Sequence, residues 1–324
     1  MRLTAINWTH VVACLLVGIT AVLLSFGALV TTYEAAMAVP DWPATYGHNM
    51  FLFPLAEWLH GPWDLFLEHG HRLLGALTGI VTLALAAIAW RSGTRPAVRW
   101  LAVAAVALVV LQGGLGGARV LLDDKTVAKV HACTGPLFFA VAVAIATLSR
   151  RSAAVGNATA ARLPVALLVA AYLQLVAGAQ LRHLDAAVDP ATFRTLVGLH
   201  ILGAVAVTVL SVMSAFVVGE EGSPVARRWA RGIVALVAVQ LLLGGGAWVA
   251  NWGMPSGLIP EAWQSAEPLR ARSVGNALVV TGHVVLGMLI LGASVVLAIE
   301  AGAVGRAATV RGVRDELASE RAFA

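Results

Sequence analysis

Cysteine is almost missing from this chain: Cys14 and Cys133 are the only two in 324 residues, and both lie inside apolar runs. That excludes a disulfide framework and a thiolate metal centre, and leaves both as small core residues. Charge is nearly as scarce. Asp, Glu, Lys and Arg make up 12% of the residues, where a soluble domain carries about 25%. A chain so poor in charge cannot coat a water-soluble globule of this length. The net charge of +5 is spread along the sequence rather than gathered in a patch, so nucleic acid is not among the expected partners.

What is present is apolar. Hydrophobic residues account for 59% of the chain, and the mean hydropathy is +0.84. Apolar runs lie at roughly 10–30, 69–90, 97–120, 128–149, 163–181, 195–218, 230–250 and 275–299, each close to the ~20 residues that a bilayer core requires. The expected fold class is therefore an all-α integral membrane protein with eight transmembrane helices, solvated by membrane lipid. The first run is longer than the apolar region of a signal peptide, and Ser25-Phe26-Gly27-Ala28-Leu29 offers no cleavage site, so it is read as a retained helix. With the N-terminus inside, fourteen Lys and Arg fall in inner segments and eight in outer ones. The excess places both termini in the cytoplasm of a cell inner (plasma) membrane. The last segment, 301–324, mixes both signs and reads as a solvated cytoplasmic tail.

The spans repeat. Gln112 follows His71 by 41 residues and Gln240 follows His200 by 40; both open the pattern Q-x-x-L-G-G, at 112–117 and 240–245. After each, a loop leads to a span with a histidine near its start, His131 in one case and His283 in the other. The chain thus reads as two four-helix units, 1–155 with a long outer loop at 31–67, and 156–300. Repeats of this kind recur in membrane folds. The glycines either let helices approach closely or make room for a flat ligand. The glutamines bond either a neighbouring helix or that ligand. In the outer segments, Asp41-Trp42-Pro43, Trp58, Trp63, Trp252 and Trp263 form either an interfacial tryptophan belt or a lid over a pocket.

Four histidines share this register. His71, His131, His200 and His283 each sit a few residues into the second, fourth, sixth and eighth spans, which all run from outside to inside, so they share one depth near the outer face. Ionisable groups at such a depth are costly and mark function. Imidazoles presented by two helices of a bundle suit bis-histidine ligation of haem iron. Their wide sequence spacing does not resemble a structural zinc site. His10, His48, His60, His69 and His183 have no repeat partner and receive no ligand role. Glu68 lies three residues before His71 and shares its helix face; the cluster Glu68-His69-Gly70-His71-Arg72 is either a metal or haem site or a polar anchor for a helix end. Outer arginines Arg72, Arg119, Arg182, Arg194, Arg270 and Arg272 are either interfacial anchors or partners for haem propionates.

Glu68-x-x-His71-Arg72, the 112–120 stretch, His131, His200, the 240–245 stretch and His283 together resemble the haem A synthases, bacterial and mitochondrial membrane proteins that turn haem O into haem A. The resemblance extends over nearly the whole chain. It implies two pseudo-twofold-related four-helix bundles, the first receiving haem O as substrate and the second holding haem b as cofactor. Carried over by position, His200 and His283 ligate the iron of haem b. His71 and His131, with Arg72 and Arg119, bind the substrate haem, whose C8 methyl is oxidised through hydroxylated stages to a formyl group. Glu68 becomes the catalytic carboxylate. The implied partners are a haem O synthase as donor and cytochrome oxidase assembly factors, and a homo-oligomer is allowed. One departure is that the first outer loop lacks the cysteine pair that many bacterial members carry, which argues against a redox role for that loop. The rival is a dihaem b-type electron-transfer cytochrome, which needs the same histidines but has no use for Glu68. A transporter built on the repeat leaves the histidine register unexplained.

Overall fold

The computed structural model describes residues 6–150, 161–184, 188–253 and 273–302. Among the described residues the order of elements is α1 (Trp8–Thr32), a hairpin of β1 (Ala44–Thr45) and β2 (His48–Asn49), α2 (Leu55–His60), α3 (Trp63–Arg91), α4 (Pro96–Leu122), α5 (Lys125–Leu148), α6 (Arg162–Arg182), α7 (Pro190–Glu221), α8 (Pro224–Trp252) and α9 (Val274–Glu300). Eight of these helices are long and apolar enough to cross a bilayer; only α2 is too short. The chain is a multi-pass membrane protein, and its helices close their own backbone hydrogen bonds as hydrocarbon demands. Outward-facing Leu242, Phe216 and Val110 are more than two-thirds exposed, as side chains touching lipid would be.

Local chemistry sets the helix ends. Asp124, Asp189, Ser223 and Ser273 accept from amides in the first turns of α5, α7, α8 and α9, satisfying donors that have no partner inside a helix. Proline stands at the start of α4, α7 and α8, where its missing N–H costs nothing. Gly93, at φ +62°, turns the chain between α3 and α4. Helices α5, α7 and α8 start before their apolar runs because their polar first turns are capped rather than lipid-solvated. Two helices start six residues early: α8, expected from 230 and found from Pro224, and α3, expected from 69 and found from Trp63. Pro62 precedes it and Asp64 sits in its first turn, so Glu68 and His71 lie in the second and third turns, not at the helix end.

Helix α1 packs on α3 and α5, α3 on α4, and α4 on α5; α6 packs on α7 and α9, α7 on α8, and α8 on α9. Each set of four closes a ring, and the rings meet where α9 touches α1 and α5, and α5 touches α6. Gly292 permits that approach: a Cβ there would fall 2.8 Å from the Phe139 ring of α5. Helices α5 and α9 are consequently the most buried of the spans. Leu16, Leu85, Ala102 and Ile145 fill one ring and Leu167, Val218, Ile233 and Leu297 the other. All eight lie toward the end of the helices remote from the hairpin. At the hairpin end the helices instead part around a cavity of about 1970 Å³, roughly twice the upper range of ordinary small-molecule pockets.

Candidate haem site

His71, His131, His200 and His283 all line this cavity, one from each of α3, α5, α7 and α9. They come together in two pairs. The His71 and His131 ring centroids are 6.4 Å apart with planes at 81°; those of His200 and His283 are 6.3 Å apart at 75°. A metal–imidazole bond of about 2.0 Å and a ring radius of about 1.1 Å put the centroids of two opposed axial imidazoles about 6.2 Å apart. Both pairs therefore stand at the separation that one metal atom between them requires. Among the described residues no three His, Cys, Asp or Glu side chains converge as a metal site, and a pair of protein ligands suits an iron whose other ligands come from a macrocycle.

Each imidazole is seated on a glycine of a neighbouring helix. A Cβ at Gly27, Gly116, Gly178 or Gly244 would fall 3.0, 3.4, 3.1 or 3.0 Å from Cε1 of His71, His131, His200 or His283 respectively. At Gly27, Gly178 and Gly244 a methyl would press on the ring, while at Gly116 it would only just touch it. The backbone acceptors beside His71, His131 and His283 are the carbonyls of Leu23, Gln112 and Gln240, one turn before each glycine. The Nδ1 atoms of all four rings are buried without completing a hydrogen bond. This is the side on which metal-bound histidines usually find a carbonyl that fixes their orientation. Glutamines brace the histidine-bearing helices: Gln174 and Gln240 donate to the carbonyls of His200 and His283, both at 2.9 Å, the Gln174 amide nitrogen also lies 3.4 Å from His200 Nε2, and Gln112 donates to Thr134 Oγ1, one turn after His131. The helix-bonding role left open for Gln112 and Gln240 is the one observed.

The sequence argument missed Gln174, Gly178 and Gly27. Gln174-x-x-x-Gly178 matches Gln112-x-x-x-Gly116 and Gln240-x-x-x-Gly244 residue for residue, so the signal was present. Its first-half counterpart, Leu23-x-x-x-Gly27, lacks the glutamine and has no signature of its own.

The carboxylate is deeply placed. Glu68 is 4% exposed, borders the cavity, and has both oxygens engaged. Oε2 accepts from the Val39 amide at 3.0 Å and Oε1 from Arg72 Nη2 at 2.8 Å. Arg72 also donates to the carbonyls of Val39, Asp41 and Ala44 at 2.7, 2.6 and 2.9 Å. All four terminal N–H bonds of Arg72, expected at the substrate, are thus spent on Glu68 and the loop between α1 and α2. His69, buried beside it, meets Thr45 Oγ1 at 3.0 Å, which accounts for this histidine without a ligand role. The Asp41 carboxylate closes the hairpin by accepting from Tyr46 and Gly47 amides at 2.9 and 2.7 Å. Burial alone would raise the Asp41 carboxyl, but these two amides outweigh it and hold it below its ordinary value. Tyr46 and Gly47 both have positive φ, the two-residue turn that suits the twist of a hairpin.

The loop so fixed covers one side of the cavity. Trp42 borders it and lies against Gly117, where a Cβ would come within 2.5 Å of the indole. Trp252 borders it too, whereas Trp58 and Trp63 stack on Phe66 instead. Trp263, Arg270 and Arg272 lie outside the described residues. Arg119 reaches the cavity from α4 and donates to the Ala36 carbonyl at 3.1 Å. It is the arginine whose charge acts on both His71 and His131. At the end of α6, burial and the charges of Arg182, Arg119 and Lys129 push His183 down to about 4, so this rim of the cavity is electropositive and His183 is neutral at physiological pH.

A chain whose eight spanning helices hold two opposed imidazole pairs over one apolar cavity has the makings of a membrane haem protein. Comparison with known proteins places it further. Residues 7–198 match the family model described as cytochrome oxidase assembly protein (COX15-CtaA), a stretch that contains Glu68, His71, Arg72, Arg119 and His131. The chain belongs to that family. It is 25% identical over 218 residues to a haem A synthase of Shouchella clausii, covering 60% of this chain and 70% of that protein. A haem A synthase of Symbiobacterium thermophilum is 32% identical over 186 residues, 52% of this chain and 58% of that one. A protoheme IX farnesyltransferase of Halobacterium salinarum is 34% identical over 115 residues. That match covers 36% of this chain, which spans only 23% of the length of the Halobacterium protein.

Proposed function

We propose that the chain is a haem A synthase, an oxidoreductase that oxidises the C8 methyl of haem O to a formyl group through hydroxylated stages, for cytochrome oxidase cofactor biosynthesis. The observation that carries this reading is the imidazole pair repeated in both halves, at 6.4 and 6.3 Å, with a buried carboxylate, among the described residues, beside only one of the two. In the repeat register, Val197 takes the place of Glu68 and Ile201 that of Arg72. The halves therefore share a way of holding haem and differ in chemistry. We assign 1–155 to the substrate and 156–300 to the cofactor on that ground.

His200 and His283 hold haem b, and His71 and His131 flank haem O, each ring set by its glycine seat. Bound haem supplies the electron chemistry. Glu68 keeps unused lone-pair directions on both oxygens after its two hydrogen bonds, so it can take a proton or steady a developing cation at the edge of the substrate. Arg72 positions that carboxylate and ties the loop across the cavity, and Trp42 helps to keep water from the reacting edge. Likeness to a protein named for protoheme farnesylation supports a farnesylated haem as substrate and a haem O synthase as its donor. Cytochrome oxidase assembly factors are the partners that the family name supports.

We place both termini in the cytoplasm of the plasma membrane and the haem sites near its outer face. Reporter fusions after Gly93 and Gly222 should then read inside and a fusion at Asp124 outside; reversal at any two refutes the orientation. The activity is tested by expressing the chain with a haem O producer, extracting the haems and separating them by chromatography. Haem A should appear. If a normally loaded protein yields only haem O and haem B, the rival dihaem electron-transfer cytochrome takes its place, a reading that the near-equal geometry of the two pairs also favours.

A further inference from the structure

Arg182 ends α6, one turn beyond Gly178, the glycine that seats His200. It borders the cavity. Its Nη2 is committed to α1, donating to the Ala28 carbonyl at 2.6 Å and to Thr32 Oγ1 at 2.7 Å. Thr32 in turn meets Thr281 Oγ1 of α9 at 3.1 Å. The guanidinium is therefore held rigidly at the junction of the two rings. Its Nη1, by contrast, is buried and has no hydrogen-bond partner among the described residues. A charged donor left unmet at membrane depth is strongly unfavourable, and Arg119 and Lys129, which with Arg182 act on His183, add positive charge to the same rim. An anion answers that geometry, and a carboxylate matches a guanidinium better than any other common biological anion except phosphate.

Position says which pair the anion belongs with: Arg182 lies one turn beyond Gly178, the seat of His200, while Arg119 lies one turn beyond Gly116, the seat of His131. The repeat agrees, because Thr31 stands at the first-half position of Arg182 and Ala247 at the second-half position of Arg119. Apart from Arg72, which is spent on Glu68 and the loop, each half thus brings one cavity arginine of its own, from a different helix. We infer that Arg182 Nη1 binds a propionate carboxylate of the haem clamped between His200 and His283, while its Nη2 fixes α1 and with it the Gly27 seat of His71. This rests on the haem reading above.

The test compares protohaem with its dimethyl ester, which has the same ring and iron but no carboxylate. The full-length chain carrying His71→Ala keeps the second-half pair as its one bis-imidazole site; it is loaded with either porphyrin, and loss of haem to excess apomyoglobin is followed by absorbance. Protohaem should be retained about tenfold longer than the diester or more, the range of one charge-assisted hydrogen bond. Adding Arg182→Gln should shorten protohaem retention to that of the diester, Arg182→Lys should recover part of it, and Arg119→Gln should leave the difference intact. Unchanged retention of the diester in Arg182→Gln reports that the fold stands. If Arg182→Gln still holds protohaem far longer than the diester, the assignment alone is overturned. A parent chain that retains neither porphyrin overturns the haem reading, and this assignment with it.

Discussion

Replacing Glu68 by Gln tests whether this carboxylate acts on the substrate or only on the loop, because the structure gives it a second task that Arg72 shares. Its two hydrogen bonds, to the Val39 amide and Arg72, are charge-assisted, and each is worth about 1.5–3 kcal/mol. An amide keeps one acceptor and turns its NH2 toward a donor, so Glu68→Gln should lose about one such bond. The loss stays below the roughly 3–5 kcal/mol of a stranded buried charge, since Arg72 retains three loop carbonyls. Arg72→Gln gives up those carbonyls as well as the pair and should be the less stable variant. The order for chemistry is the reverse: removing a group that moves a proton or steadies charge lowers turnover by ~100-fold or more. Per haem-loaded protein, Glu68→Gln should therefore make far less haem A than Arg72→Gln, while thermal unfolding and proteolysis of the 33–62 loop rank them the other way. The double variant should make no less haem A than Glu68→Gln alone. Product that simply follows stability across the three variants would show that Glu68 works through the loop and has no chemical role.

Three further outcomes follow from the site. His200→Ala and His283→Ala should each abolish the low-spin haem b spectrum of the purified protein; full haem content in both would sink their assignment as ligands. Gly244→Ala sets a methyl 3.0 Å from His283 Cε1, where carbon contacts begin at about 3.5 Å, so the ring must recede by about 0.5 Å and haem stoichiometry should fall. Gly114→Ala, which opens onto free space away from the cavity, should be neutral, and equal losses in the two would refute the seating of the ring. Because the folded Asp41 carboxyl lies below its ordinary value, its stabilising contribution is present above the unfolded value of about 3.9 and is lost as pH falls through the lower folded one. Hydrogen exchange at the Tyr46 and Gly47 amides should be protected alike at pH 7 and 5 and rise only below about pH 4; Asp41→Asn should expose them throughout.

The four histidines were legible because a repeat writes the same residue at the same depth twice, and depth in a bilayer follows from position in an apolar run. Their pairing was not. Which imidazole faces which depends on α3 meeting α5 across the first ring and α7 meeting α9 across the second, and that order is fixed by packing between segments far apart in sequence. The hairpin at 44–49 escaped notice because Tyr46-Gly47 is a weak form of the usual turn dipeptide, and its closure depends on Asp41 and on Arg72 from another element. Arg72 itself looked like a ligand-binding cation from its motif. Only the folded loop, presenting three carbonyls at once, gave it another occupation.

The sequence by itself determined that this is a membrane protein of eight helices, that it carries an internal repeat, and that Glu68 stands in one copy only. These are properties of composition and spacing, and they survive any rearrangement of the helices. The tertiary structure decided that the four rings stand as two pairs at metal-bridging distance, that glycines on adjoining helices seat them, and that a buried guanidinium at the seam has a donor to spare. Each of these depends on distances of a few ångströms between separate helices, and such distances are set where side chains interdigitate, in contacts that no single stretch of sequence contains.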